Sequence, residues 1–377
     1  MAEPFKNFLG PREVRAAGAH LQRAWPAFPR ERFERRALDG LEALEFKARA
    51  HHIADALEAT LPADFARAAD VLEASLGPPG EGDDLGSLRT TEAGLAGWIV
   101  WPMTEFVARR GLDHPRRALA ALHAMTQRFS AEWAIRPFIE RHPQETFAAL
   151  ARWTRDPSAH VRRLVSEGSR PRLPWGVQLR ALIADPGPTL HLLEALQDDP
   201  SGYVRRSVAN HLNDIAKDHP ALVSGWIERH LPGADPARRA LLKHASRTLV
   251  KRGDPRMLAL WGVGRPLRGT ASLAVAPQRV RVGESLSLQV ALESAAARAQ
   301  DLVIDYAIHF VGARDGATSR KVFKGWSLTL APRESRALAK RHSLRPITTR
   351  VYRAGEHRVE LMVNGRCVAE TSFRLVL

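Results

Sequence analysis

Two segments of the chain repeat each other at an interval of 43 residues, and this repeat limits the folds that the chain can adopt. The sequence DPSAHVRRLVSEGSR at 156–170 matches DPSGYVRRSVANHLN at 199–213, and a shorter third copy, DPARRALLKHASRTL, covers 235–249. A period of about 40 residues with two helices per unit is typical of HEAT-like repeats. Such units stack into a solenoid because no single repeat can bury its own apolar face. The sequence therefore predicts an α-helical repeat solenoid.

The helical pattern ends near Thr270, where the sequence changes to alternating and β-branched segments. Residues 1–262 are rich in Ala, Leu, Arg and Glu, with proline or glycine between the apolar-periodic segments. Asn364 and Gly365 lie between two of the later segments, and Asn-Gly favours a two-residue hairpin turn. About seven strands in roughly 110 residues suggest an immunoglobulin-like sandwich. We predict an all-α HEAT-like repeat solenoid over 1–264, followed by an all-β immunoglobulin-like sandwich domain over 265–377.

Positive charge is high and unevenly divided. The 377 residues contain 56 Lys and Arg against 41 Asp and Glu, for a formal net charge of +15. This excess favours a polyanionic partner, either nucleic acid or an acidic membrane surface. Residues 265–377 contain 19 basic and 9 acidic side chains and therefore hold +10 of that charge. We expect Arg341, Arg345, Arg350 and Arg353 to contact DNA, with solvated arginines on a stabilising cap as the alternative.

Several classes of protein are disfavoured by what the sequence lacks. The single cysteine, Cys367, excludes an intrachain disulfide and a Cys-rich zinc site. The fifteen histidines show no HExxH spacing, and the chain has no GxGxxG motif, Walker loop or nucleophile elbow. We therefore expect no metal and no cofactor. The N-terminal segment has no apolar signal region, and no apolar run reaches about 18 residues, so we expect a cytoplasmic protein that does not enter the membrane.

The repeated helices are amphipathic, with a charged side that recurs from repeat to repeat. In the middle copy Val204, Val208, Leu212 and Ile215 form the apolar side. Because second helices usually line the concave surface of a solenoid, we predict that the charged sides form a cationic trough that neutralises DNA phosphates. Charged helix faces that are merely solvated are the alternative. The predicted trough residues are Arg206, Asn210, Asn213, Asp214 and Lys217 in the middle copy, Arg163, Glu167 and Arg170 before it, Arg239, Lys243 and Arg247 after it, and Glu132 and Arg136 upstream.

Three acids, Glu132, Glu167 and Asp214, interrupt this basic surface. A carboxylate in a DNA-binding groove repels phosphate, so its presence suggests catalysis, although pairing with an arginine one turn away is the alternative. Trp175 lies in the proline-flanked segment RPRLPWG, where its indole could stack on a sugar or contact a cationic base. A buried tryptophan that caps a repeat is the other interpretation. Trp133, Trp153 and His211 are predicted core residues, and Trp101 and Glu105 are weaker candidates for the groove.

At these positions the sequence resembles the AlkC branch of the bacterial DNA alkylation-repair glycosylases. The resemblance covers the whole chain and is carried by ARWTRDPSAHVRRLVSEGSRPRLPW, DPSGYVRRSVANHLNDIAKDHP, RFSAEWAIRPFIERHP and the N-terminal LEALEFKARAHHIADAL. It implies a monofunctional glycosylase that excises cationic N-alkylated bases, chiefly 3-methyladenine, from double-stranded DNA in base excision repair. The class is similar in fold to the AlkD enzymes, which work without turning the base into a pocket. We expect a monomer without an obligate protein partner, in the bacterial cytosol or nucleoid.

The resemblance implies that all three acids and Trp175 belong to the active site. Loss of a base leaves an oxocarbenium-like sugar, which a carboxylate can stabilise while it holds the attacking water. We expect Glu167 to face the sugar and Asp214 to act on the water. Two other classes stay open: a non-catalytic solenoid that binds DNA or RNA, and a protein-binding HEAT scaffold, whose groove should be apolar or mixed.

Overall fold

The helices of the chain precede all of its strands. The structure, a computed structural model, describes residues 5–263, 265–313, 317–347 and 350–377, and within these ranges it contains sixteen α-helices. They are α1 Pro11–Ala24, α2 Arg30–Leu38, α3 Phe46–Glu58, α4 Phe65–Ala74, α5 Val100–Arg110, α6 Pro115–Thr126, α7 Arg136–Arg141, α8 Pro143–Trp153, α9 Ala159–Gly168, α10 Arg180–Ala184, α11 Gly187–Leu196, α12 Gly202–Ile215, α13 Pro220–His230, α14 Pro236–Ala245, α15 Arg247–Arg252 and α16 Pro255–Leu260.

The strands form two sheets, of three and five strands, in the orders β1-β3-β6 and β2-β8-β7-β4-β5. Pairing is antiparallel except between β2 and β8. Asn364 and Gly365 connect β7 to β8 with φ of 50° and 78°, as a two-residue turn of type I′ requires, so the predicted hairpin is confirmed. The strands are β1 Gly269–Ala276, β2 Arg279–Arg281, β3 Ser285–Ser294, β4 Gln300–Val311, β5 Thr318–Leu330, β6 Ser335–Ser343, β7 Gly355–Val363 and β8 Arg366–Val376.

The chain divides into two compact units. The helical unit comprises Met1–His219 and Leu231–Ala245, and the C-terminal unit comprises Pro220–His230 and Ser246–Leu377. The C-terminal unit therefore contains α13, α15 and α16 together with the strands. The predicted boundary residue 264 lies outside the described residues, and the domain limits 1–264 and 265–377 stay a prediction.

The first two repeated segments contain helices α9 and α12, and the third begins with α14. Ser201 caps α12, because its hydroxyl oxygen accepts hydrogen bonds from the backbone N–H groups of Tyr203 and Val204. Val204, Val208, Leu212 and Ile215 are all buried, which confirms the predicted apolar side of this helix. Helix α12 packs against α9 on one side and α14 on the other, so consecutive repeats lie side by side.

Arg136, at the start of α7, is a structural residue, and the prediction that it contacts DNA is wrong. Its side chain is fully buried, and Nη1 donates to the carbonyl oxygens of Gly168 and Arg170 at 2.9 and 2.8 Å. Its Nε donates to the Val177 carbonyl at 2.7 Å. Burial lowers the pKa of Arg136 to about 10. The guanidinium thus ties the end of α9 to the segment 170–177, because these carbonyls have no helical partner.

We predict that Arg136→Leu destabilises the helical unit by at least about 3 kcal/mol, because the carbonyls of Gly168 and Arg170 lose their donor in the protein interior, and the carbonyl of Val177 loses its donor as well. Arg206→Leu, at an exposed position of α12, is the control and should change the stability by less than about 0.5 kcal/mol. Urea unfolding followed by circular dichroism measures both values. Equal stabilities of the two variants would contradict the role assigned to Arg136.

We also predict that Gly269→Ala destabilises the C-terminal unit by about 2 kcal/mol or more. Gly269 begins β1 with φ of +148°, and an added Cβ would lie 1.8 Å from the carbonyl oxygen of Glu293. Gly225→Ala is the control, since the added Cβ meets nothing within 4 Å in α13 and should stabilise by about 0.5 kcal/mol. Thermal unfolding of both variants checks the difference, and a Gly269 variant as stable as the wild type would refute it.

Candidate active site

Six side chains of alternating charge form one continuous chain of ion pairs, which we call the charge ladder: Glu132, Arg163, Glu167, Arg170, Asp214 and Lys217. Arg163 Nη1 contacts Glu132 Oε2, and Arg163 Nη2 lies 3.6 Å from Glu167 Oε1. Arg170 Nη1 donates to the same Glu167 oxygen at 2.6 Å, and Arg170 Nε donates to Asp214 Oδ2 at 2.8 Å. Lys217 Nζ ends the ladder at 2.7 Å from Asp214 Oδ1. The structure therefore brings the three sequence-predicted acids together.

The ladder is buried except at Lys217, whereas the sequence placed its members on an open trough surface. The exposed fractions of the acidic side chains are 10% for Glu132, 7% for Glu167 and 2% for Asp214. Asn213, another predicted trough residue, is also buried. The reason is that α9 and α12 pack side by side, so part of the polar side of each helix faces the other helix. Buried carboxylates are costly unless they are paired, and each acid here has a basic partner.

The guanidinium groups of Arg163 and Arg170 contact the acids of the ladder. Arg163 contacts Glu132, Glu167 and the hydroxyl of Ser130, and Arg170 donates to Glu167 and Asp214. The prediction that these two arginines bind phosphate is therefore corrected: their donors point at carboxylates, and both side chains are mostly buried. Lys217 is half-exposed at the end of the ladder and stays a candidate for DNA contact.

The arginines keep Glu167 charged. Burial by itself would raise the pKa of Glu167, but the positive charges of Arg163 and Arg170 outweigh it and hold that pKa below its ordinary value. Burial likewise acts to lower the pKa of Arg163, but the negative charges of Glu132 and Glu167 outweigh it and raise that pKa above its ordinary value. Both groups are therefore ionised at neutral pH, which places a fixed negative charge between two fixed positive charges.

Sequence reasoning missed the uncharged residues that support the ladder. Ser207 donates to Glu167 Oε2 at 2.6 Å, and Ser130 donates to Glu132 Oε2 at 2.8 Å. The guanidinium carbon of Arg163 lies 5.1 Å from the centre of the Tyr203 ring. The spacing of Tyr203, Ser207, His211 and Asp214 along α12 could have identified this side, because residues three or four apart share a helix face. His211 is fully buried, as predicted, and its Nδ1 lies 2.9 Å from the Ser166 carbonyl oxygen.

Trp175 presents its indole to solvent in the loop that follows α9. It is 58% exposed, so the interpretation as a buried capping tryptophan is wrong. Its φ of +63° is an unusual backbone conformation for a bulky residue. Lys47 Nζ donates to the Trp175 carbonyl at 3.1 Å, and Trp133 Nε1 donates to the adjacent Pro174 carbonyl at 3.2 Å. Contacts from two other segments therefore hold this loop.

Trp133 packs beside Trp175, and Trp101 packs against Trp133. The Trp133 ring is 6.4 Å from the Trp175 ring and 4.5 Å from the Trp101 ring, measured between centres. Trp101 is buried and does not reach the groove, and Arg109 holds Glu105 at 3.0 Å. Trp133 and Trp153 are half-buried, so the prediction that both belong to the core is only partly correct.

The other basic candidates differ in exposure. Arg350 is half-buried with its guanidinium carbon 4.2 Å from the centre of the Phe310 ring, and its contact with DNA stays a prediction. Asn210 is half-buried, and its Oδ1 lies 2.9 Å from His244 Nε2. Exposed positions are occupied by Arg206, Arg239 and Lys243 in the helical unit and by Arg247, Arg341, Arg345 and Arg353 in the C-terminal unit.

No group of three or more His, Cys, Asp and Glu side chains among the described residues is arranged to hold a metal ion. None of the described helices is both long and apolar enough to cross a bilayer.

Comparison with known proteins identifies the family. The family model described as DNA alkylation repair enzyme matches residues 126–249, and the C-terminal Ig-like domain of YhaZ matches residues 269–377. YhaZ of Bacillus subtilis is 36% identical over 358 residues, which cover 94% of this chain and 95% of that protein. The Pseudomonas fluorescens alkylpurine DNA glycosylase AlkC, solved bound to DNA containing an abasic site analogue, has 34% identity and a TM-score of 0.87 over all of both chains. The chain therefore belongs to the AlkC branch of the DNA alkylation-repair enzymes and ends in the Ig-like domain of that family.

Proposed function

We propose that this chain is a DNA glycosylase that releases cationic N-alkylated bases, chiefly 3-methyladenine, from double-stranded DNA in base excision repair. Membership of the AlkC branch supports DNA glycosylase activity. The observation that carries the mechanism is the buried charge ladder, in which Glu167 is held as an anion by Arg163 and Arg170. We further propose that the protein acts as a monomer in the bacterial cytosol, without an obligate protein partner.

The proposed reaction needs little more than a well-placed negative charge. Alkylation gives the base a positive charge, so the bond between C1′ and the base nitrogen breaks with its electron pair moving onto the base. The base leaves neutral, and the sugar takes up the positive charge as an oxocarbenium-like cation. Glu167 stabilises this cation electrostatically, and because its oxygens are already bound by Arg170 and Ser207, the carboxylate does not need to reorganise. No cofactor is required for this step.

A water molecule completes the reaction by adding to C1′ and losing a proton, which leaves an abasic site. We propose that Asp214, near the end of the ladder that carries Lys217, orients this water. Glu132 is the alternative acceptor, since the hydrogen bonds from Ser130 and Arg163 both fall on its Oε2 and not on Oε1. Either carboxylate could accept the proton that the water loses.

The exposed indole of Trp175 is the proposed contact for the damaged base. A cation above an indole ring is stabilised by about 0.5–2 kcal/mol, depending on how far both are desolvated. Because 58% of the Trp175 side chain is exposed, the indole can approach a base that stays in the helix stack. The proposal that the base is not flipped into a pocket rests on the family resemblance and not on this exposure.

A non-catalytic DNA-binding protein is the main alternative, and the release of bases separates the two. Purified protein is incubated with methylated genomic DNA, and the bases set free are identified by mass spectrometry. A glycosylase releases 3-methyladenine, whereas a protein that only binds DNA releases nothing above the spontaneous background.

We predict that Glu167→Gln and Asp214→Asn lower the single-turnover rate of base release by about 100-fold or more while the affinity for DNA stays nearly unchanged. Asp218→Asn is the matched control, because Asp218 lies one turn after Asp214 but pairs with Arg172 in a more exposed ion pair at 2.9 Å. Melting temperatures are measured alongside, since each ladder variant removes one of the two acidic partners of a buried arginine. Wild-type rates in both ladder variants would refute the catalytic assignment.

We predict that Arg206→Ala and Arg239→Ala weaken binding to any duplex and flatten its dependence on salt. Each lost phosphate contact should reduce the slope of log K against log salt concentration by about 0.9. Arg205→Ala is the control next to Arg206, because Arg205 Nη1 donates to the Pro200 carbonyl at 2.9 Å. Fluorescence anisotropy at several salt concentrations gives the slopes. Unchanged slopes in both variants would show that Arg206 and Arg239 do not contact DNA phosphates.

A further inference from the structure

Helix α12 presents a row of polar side chains to α9, one from each turn. The ring of Tyr203 lies against Arg163, the hydroxyl of Ser207 donates to Glu167, and His211 contacts the Ser166 carbonyl. Every one of these contacts joins two consecutive repeats. The position of the charged groups of one repeat is therefore determined partly by the side chains of the next.

The contact between Ser207 and Glu167 differs from the contacts that the arginines make with Glu167, because it involves the second carboxylate oxygen. Arg163 and Arg170 both approach Oε1 of Glu167, whereas Ser207 donates to Oε2 at 2.6 Å. Ser207 and Glu167 are both buried. Without this hydroxyl, Oε2 would be a buried, charged oxygen that had lost its donor, which is an unfavourable state. Donors on both oxygens also define the plane of the carboxylate.

We propose that Ser207 is a positioning residue for the reaction, holding Oε2 of Glu167 from the following repeat so that the carboxylate stays charged and keeps one orientation toward the sugar. This inference rests on the function proposed for Glu167. Ser207 itself touches neither the sugar nor the base in this scheme, and it acts only through the carboxylate.

The surroundings of Glu167 make the effect of Ser207 measurable. Burial raises the pKa of Tyr203 to about 12 and lowers the pKa of His211 to about 4, so neither titrates near neutral pH. A hydroxyl that donates to a carboxylate favours the charged form, so its removal raises the pKa of that carboxylate. If activity needs the Glu167 anion, a variant without the hydroxyl therefore loses activity at a higher pH than the wild type does when the solution is acidified. The charged and titratable groups that face Glu167 are Arg163, Arg170, Glu132, Tyr203, His211 and Asp214.

The test compares Ser207→Ala with Ser166→Ala in the full-length protein. Ser166 is a matched control, since it is also a buried serine at this helix interface, and its hydroxyl makes no hydrogen bond among the described residues. Single-turnover release of 3-methyladenine from methylated duplex DNA is measured over a range of pH. We expect Ser207→Ala to be about tenfold slower near neutral pH and to lose activity at a higher pH than the wild type. Ser166→Ala should follow the wild-type dependence of rate on pH. Ser207→Thr, which keeps a hydroxyl, should lose activity at the same low pH as the wild type.

A second measurement does not depend on activity. The carboxyl carbon of Glu167, labelled with ¹³C and assigned with Glu167→Gln, is titrated by NMR in the wild type and both alanine variants. We expect a higher midpoint in Ser207→Ala and an unchanged midpoint in Ser166→Ala. An identical midpoint in Ser207→Ala, or the same loss of rate at every pH in both alanine variants, would overturn the inference. A Ser207-dependent midpoint in a wild-type protein that releases no base would overturn only the proposed function.

Discussion

The pairing of buried charges between α9 and α12 is the interaction on which the rest of the site depends. Two inner helices of a repeat solenoid normally meet through apolar side chains, and Val204 and Val208 of α12 follow that rule. The adjacent strip of the same interface is ionic instead. Burying these carboxylates is tolerable because each meets a guanidinium or ammonium group at close range. Replacing one member would remove one of these pairings and leave the ladder with an unbalanced charge.

These contacts are structural, and in the proposed function they also orient the charge that acts on the sugar. Arg170 joins Glu167 to Asp214 across two repeats and, through its carbonyl, also accepts a hydrogen bond from Arg136. The end of α9, the loop with Trp175 and the C-terminal end of α12 are therefore connected by a few buried arginines. A site built in this way has its charges oriented before DNA arrives, which is the condition under which electrostatic stabilisation of a transition state is most effective.

Several features followed from the sequence because they depend on short-range chemistry. The repeat interval of 43 residues predicted α9 and α12, and the apolar positions of α12 are buried as expected. The Asn-Gly pair predicted its hairpin, since few other residues accept left-handed φ at two successive positions. The acids Glu132, Glu167 and Asp214 were identified as a group because carboxylates are unusual on a basic helix surface, and they lie in one ladder.

The sequence by itself determined the two kinds of structure in this chain, the repeated helices and the residue types of the site, because periodicity and composition are local properties. Only the tertiary structure decided which part of the polar side of each helix faces solvent and which part faces the next repeat. Periodicity gives the angle between side chains on one helix, but it does not say where the neighbouring helix packs. For that reason Arg136, Arg163 and Arg170, expected to meet phosphate, instead hold carbonyls and carboxylates inside the protein.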